Sequence, residues 1–147
     1  MKFNSRKDIL FQTLIFGVCG LLITLLLFRI FNAKESGIID FFILLPISLL
    51  LWIHFGTKYE LTQTELKYKS GPIYGKIEIK QIREIIKGKT LWVGLKPATA
   101  RKGLIIKYDK HKELYISPKT NDSFVEKVLE INKTIIITPS KNVKHKN

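Results

Sequence analysis

Two long apolar runs constrain this chain more than any other feature. Residues 11–30 read FQTLIFGVCGLLITLLLFRI, and residues 38–55 read IIDFFILLPISLLLWIHF. A helix of about 20 such residues crosses a hydrocarbon core of roughly 30 Å. The first run has that length, and the second falls at the short end of the spanning range. A helix apolar on all sides needs lipid or a large protein core around it. The polar remainder of a 147-residue chain is too small to cover two such helices. The expectation is a pair of transmembrane helices, 11–30 and 38–55, joined by a short external loop at 31–37. Arg29 stands where a long side chain snorkels to the surface. Asp40 falls in the headgroup zone, and Trp52 and His54 fall where amphipathic rings prefer the interface. Pro46 is tolerated inside such a helix when its freed carbonyl finds a local partner. A cleaved signal sequence is the competing reading of the first run. Its length, and the Phe31-Asn32-Ala33 that follows, argue against cleavage.

Charge is sorted along the chain. The formal charge is +13, of which residues 1–10 hold +2 and residues 11–55 hold none, leaving +11 for residues 56–147. Lys2, Arg6 and Lys7 precede the first run, and Lys58, Lys67 and Lys69 follow the second, against Lys34 in the connection. The excess of Lys and Arg marks the cytoplasmic side, so both termini are expected there. A basic domain held at that face is attracted to anionic lipid by about 1 kcal/mol per Lys or Arg near the surface. Nucleic acid is the other partner that such charge suggests. Here the cations are scattered, and the aromatics beside them (Tyr68, Tyr74, Trp92, Tyr108 and Tyr115) are too few for a stacking platform, so no nucleic-acid partner is expected. The single cysteine, Cys19, excludes an internal disulfide and reads as a small apolar side chain.

From Lys58 the hydrophobic period shortens. Runs at 59–62 and 65–70 flank Gln63-Thr64 as a hairpin, and Gly71-Pro72 punctuates the chain. The segment IYGKIEI alternates, with Ile73, Gly75, Ile77 and Ile79 on one side. The apolar parity slips at Lys80-Gln81, which predicts a turn or bulge before the strand IREIIK that Gly88 ends. GLIIKY and ELYIS form a second hairpin around residues 109–112, with Leu114 and Ile116 on one face and Tyr115 on the other. After Pro118, TNDSFVEKVLEINK reads as a helix capped near Thr120, Asn121 or Asp122, with Phe124, Val128 and Ile131 at i, i+4, i+7. That stripe is expected to close the open side of the sheet. TIIIT is compatible with a short strand or a helix extension. Residues 56–138 thus form one domain, and residues 139–147 read as a disordered basic tail behind it.

The order of two spans, five to seven short strands and one amphipathic helix resembles bacterial pleckstrin-homology-like (PH-like) proteins with an N-terminal transmembrane hairpin. The residues that carry the resemblance are YELTQTELKYKSG, GKIEIKQIREIIKGK, PATARKGLIIKYDKHKELYISPK and SFVEKVLEI, over residues 58–131. It implies an α+β membrane protein: a two-helix transmembrane hairpin, then a PH-like, strongly bent antiparallel β-barrel or sandwich capped by a C-terminal helix, in the bacterial inner membrane. More distantly the chain resembles bacteriocin (sublancin-type) immunity proteins.

No catalytic set is legible. His54, His111 and His145 fall at a membrane edge, in a hairpin turn and in the tail, no metal-ligand spacing occurs, and residues 88–94 lack the spacing of a phosphate loop. The expectation is a non-enzymatic, membrane-anchored binding module without a cofactor, docking an anionic lipid surface or a membrane-protein partner. A bacteriocin-immunity or membrane-stress role is the alternative. The candidate contact residues are Lys89 and, in the basic segment LWVGLKPATARKG that follows it between the two strand-like regions, Trp92, Lys96, Arg101 and Lys102. With no acid nearby in sequence, Lys96, Arg101 and Lys102 are expected to be exposed in a solvated loop.

Overall fold

The computed structural model describes residues 1–32, 37–91 and 94–139. Its elements are β1 (Lys2–Asn4), α1 (Ile9–Asn32), α2 (Ile38–Gly56), β2 (Lys58–Leu61), β3 (Glu65–Ser70), β4 (Ile73–Glu78), a 3-10 turn at Ile79–Gln81, β5 (Ile82–Lys87), β6 (Leu104–Tyr108), β7 (Lys112–Ile116), α3 (Asn121–Ile131) and β8 (Ile136–Pro139).

The two apolar runs form helices slightly longer than the sequence suggests. Ile15, Cys19 and Ile47 are buried between them, with Phe11, Leu22 and Ile43 packed around. His54, near the end of α2, meets Phe16, near the start of α1, with ring centroids 5.5 Å apart. At the opposite end Arg29 Nε donates to Asp40 Oδ1 at 3.0 Å. The helices therefore run antiparallel. Asp40 also accepts from the Gly37 backbone N–H, closing the first turn of α2. The outer surfaces stay apolar and exposed, at Leu14, Leu21, Phe28, Phe41, Leu45 and Trp52 among others. α1 is long and apolar enough to cross a bilayer, by length and composition, whereas the described apolar stretch of α2, Asp40–Gly56, is shorter.

The polar half folds into two four-stranded sheets, ordered β1-β2-β3-β4 and β7-β6-β5-β8. All pairs are antiparallel except β5 with β8. Strand alternation turns Tyr59, Leu61, Leu66 and Ile77 inward from the first sheet and Ile82, Ile85, Leu104, Ile106, Leu114 and Ile116 from the second, into one core. The helix stripe closes that core with Phe124, Val125 and Val128. Each such side chain, fully buried, contributes about 1.5–3 kcal/mol. The expected turn at Lys80-Gln81 is the 3-10 turn, which passes the chain from the first sheet to the second. Ile79 N–H bonds to Thr64 O at one side of it, and Asp109 N–H bonds to Gln81 O at the other. Among the described residues no ladder joins the two sheets into a closed barrel.

The fold departs from the sequence reading, or decides what it left open, at four places. Residues 1–10 are not a free basic terminus, because Lys2–Asn4 pairs with β2 and Phe3 packs edge-on against Phe124 at 5.1 Å. A three-residue strand carries too little alternation to be read from sequence. TIIIT resolves as β8, since the edge of β5 offers its residues a parallel ladder. Ile73 does not follow Ile77 inward and stays 42% exposed. Finally, both faces of β7 are covered: Tyr115 is buried beneath residues 95–103, not turned to solvent. Trp92 and the tail at 140–147 lie outside the described residues.

A basic surface at the foot of the helices

The segment entering β6 is built into the domain. Leu95 bridges Leu114 in parallel, and Tyr115 N–H donates to Leu95 O at 2.9 Å. The Tyr115 hydroxyl donates to Ala100 O at 2.8 Å and accepts from Gly103 N–H at 2.9 Å. A Cβ on Gly103 would lie 2.2 Å from Ile116 O, so only glycine fits against that strand. Pro97, Thr99, Ala100 and Gly103 are buried. The expectation of a solvated loop is thus corrected. Its apolar and small residues supply the missing cover for β7.

A buried polar junction fixes this segment to the N-terminal strand. The Tyr59 hydroxyl donates to Pro97 O at 2.6 Å and accepts from Ser117 N–H at 3.1 Å. Ser5 Oγ lies 3.1 Å from that hydroxyl and 2.8 Å from Ser117 Oγ. Thr99 Oγ1 donates to Ser5 Oγ and to Arg6 O, and Thr99 N–H donates to Ser117 Oγ. Main-chain bonds from Arg6 N–H to Ser117 O and from Lys119 N–H to Asn4 O extend the seam. Burial pushes the Tyr59 and Tyr115 hydroxyls above the ordinary phenol range.

This seam gathers cations from distant parts of the chain. Arg6 donates through Nη2 to Arg101 O at 2.6 Å and Lys102 O at 3.0 Å. Arg101 Nε donates to Asp8 Oδ2 at 2.9 Å, and that bond holds the Asp8 carboxyl below the usual carboxylate range. Arg101 is exposed as expected, but its partner lies 93 residues away, where no local sequence pattern reveals it. Lys102 adopts a left-handed φ of 53°, a conformation that a lysine holds only when its backbone is over-determined. Its N–H bonds to Thr90 Oγ1, and its carbonyl accepts from Arg6 and Asn121. Arg6, Lys7, Asp8, Ile9, Arg101 and Lys102 line an open groove, four cations against one carboxylate. Lys7 Nζ sits 4.4 Å above the ring of Phe55, which puts the groove level with the last turn of α2.

The structure therefore brings Arg101 and Lys102 together with Arg6 and Lys7, which sequence reasoning read only as orientation signals. Lys89 is exposed next to Thr90, the residue that binds the Lys102 backbone. Lys96 is half-buried where the segment runs along β7, outside the groove lining and not in the exposed position expected of it. Among the described residues no group of His, Cys, Asp or Glu is placed to hold a metal ion.

A family model described as "Bacterial PH domain" matches residues 57–132, from β2 through α3. The strands β1 and β8, which edge the two sheets, fall outside the match. The chain is also 32% identical over 108 residues to a protein of Bacillus subtilis (strain 168) named "Uncharacterized protein YyaB", covering 72% of this chain and 74% of that one. No solved structure matches the chain. On the family match over half its length, and on that relative, the chain belongs to the bacterial PH domain family.

Proposed function

We propose that this protein is a non-enzymatic PH-like binding module, anchored by α1 and α2 as a hairpin that crosses the membrane twice, with both termini in the cytoplasm. Its basic groove at the foot of the hairpin engages anionic lipid headgroups of the same bilayer. The family supports a binding role, and the apolar outer surfaces of both helices support an anchor. The observation that carries the ligand class is the position of the groove. Lys7 over Phe55 sets the four cations of the groove level with the last turn of α2, and with α2 embedded in a bilayer that is the depth at which headgroup phosphates would stand. Arginine and lysine there donate charge-assisted hydrogen bonds to phosphate oxygens, which are about twice as strong as bonds between neutral groups.

The full chain in detergent, titrated with short-chain phosphatidylglycerol or phosphatidylcholine and followed by NMR shifts of the Arg101 Nε–H and the Lys102 amide, tests the proposal. Saturable shifts are expected with the anionic lipid only. Lys7→Gln with Lys102→Gln removes two surface cations at about 1 kcal/mol each, which weakens binding by about 30-fold. Equal responses to the two lipids, or an unchanged affinity in the double variant, would sink the headgroup assignment.

A further inference from the structure

The turn between β3 and β4 is a second feature at the end of α2. Gly71, with φ at +56°, lies so close to α2 that a Cβ on it would stand 2.7 Å from Ile53 Cγ1 and 3.4 Å from Ile53 Cα. Thr57 Oγ1 lies 2.8 Å from Ser70 Oγ at the same junction. The turn is thus level with Ile53, about one helical turn before α2 ends at Gly56. Just beyond this contact in the chain, Ile73 is 42% and Tyr74 79% exposed, and on α2 Trp52 and Phe55 are exposed as well.

The outer face of this sheet is sorted by chemistry along the strands. Tyr74 stands opposite Lys69, and Lys69 opposite Lys58. Like charges placed directly across a ladder repel each other. Among the described residues no carboxylate ion-pairs with Lys58 or Lys69, whereas Glu65, farther from α2, pairs with both Lys67 and Lys76. The row nearest the helix end is therefore basic and aromatic, whereas the lysines farther from α2 share a carboxylate. An aromatic and an aliphatic side chain backed by lysines is the composition that an anionic bilayer interface accepts.

We infer that the β3–β4 turn is a second membrane-contact element: Ile73 and Tyr74 enter the headgroup–acyl boundary, and Lys58 and Lys69 engage anionic headgroups behind them. The inference rests on α2 being embedded in the bilayer. With the groove at Arg6 and Arg101, it gives the domain two points of contact that fix its tilt on the membrane.

The full chain in a Cys19→Ala background, with a single Tyr74→Cys, Gln63→Cys or Leu49→Cys, can be labelled with a fluorophore and reconstituted in phosphatidylcholine–phosphatidylglycerol vesicles carrying brominated acyl chains. Gln63 is an exposed residue at the far end of the β2–β3 hairpin, about 20 Å along the strands from the turn. Position 49 lies on α2 and reports the span itself. Quenching several-fold stronger at 74 than at 63, with strong quenching at 49, is the expected result. Strong quenching at 49 with position 74 no different from 63 overturns the inference and leaves the two-span reading standing. Weak quenching at both 49 and 74 overturns both.

Discussion

Replacing Tyr59 by phenylalanine tests the polar junction that roots the helices in the domain. The hydroxyl sits on a side chain only 1% exposed and serves three partners. Two of them, Pro97 O and Ser117 N–H, are buried and have no other hydrogen bond at this junction. Leaving a buried donor or acceptor unsatisfied costs about 1–3 kcal/mol. Two orphaned groups, offset in part by the more apolar ring, give about 3 kcal/mol for Tyr59→Phe. Ser5→Ala is the control. It removes a hydroxyl from the same cluster, but Thr99 Oγ1 keeps Arg6 O and Ser117 Oγ keeps Thr99 N–H, so about 1 kcal/mol is expected. A change of 1 kcal/mol moves a melting temperature by about 2–8 °C in domains of this general size. Thermal unfolding of the full chain in detergent, followed by the circular dichroism of the sheets, should therefore place Tyr59→Phe well below Ser5→Ala. Equal destabilisation by the two variants would refute the reasoning, since it would mean that Pro97 O and Ser117 N–H find water or new partners at little cost. A second readout is amide exchange at Arg6 and Lys119, the main-chain donors of the seam, which should quicken in Tyr59→Phe more than in Ser5→Ala.

Two further outcomes follow from titrating groups outside the helices. Tyr59 and Tyr115 have hydroxyl pKa values raised by burial from an ordinary 10.0, so the folded state keeps protons that the unfolded state releases. Their contribution is full below pH ~10 and declines as pH rises through the folded values, and the decline should be shallower in Tyr59→Phe, provided that both proteins are compared as changes from their own neutral-pH stability. Glu84 is held below the usual carboxylate range first by the Thr138 hydroxyl, at 2.6 Å, and then by Lys107. Its contribution is present above the ordinary carboxylate pKa and lost as pH falls through the folded value, so the protection factors of the β8 amides, taken relative to intrinsic exchange at each pH, should fall in acid, and Thr138→Val should show lower β8 protection already at neutral pH.

Much of the polar half was legible because its signals are local. The Gln63-Thr64 and 109–112 hairpins, the turn at Lys80-Gln81 and the stripe of Phe124 and Val128 each lie within a dozen residues, and each formed where periodicity put it. The candidate surface was legible only in part. Arg101 and Lys102 stood out as cations in an aperiodic segment, but Arg6 and Asp8 reach them across more than 90 residues and across both helices. Lys96 looked equivalent to them in sequence, and packing along β7 separates it from them.

The sequence by itself determined two apolar helices too hydrophobic for the small polar half to cover, and a β-rich basic domain after them. Those properties depend on composition and short periods, which act within a single element. Only the tertiary structure decided that residues 2–4 complete the first sheet, that residues 95–103 cover Tyr115, and that the two ends of the helix pair meet at one basic groove. Those features arise from buried main-chain and hydroxyl groups finding partners far along the chain. A strand edge or a buried carbonyl accepts any donor that the fold brings within reach, so no spacing in the sequence records the choice.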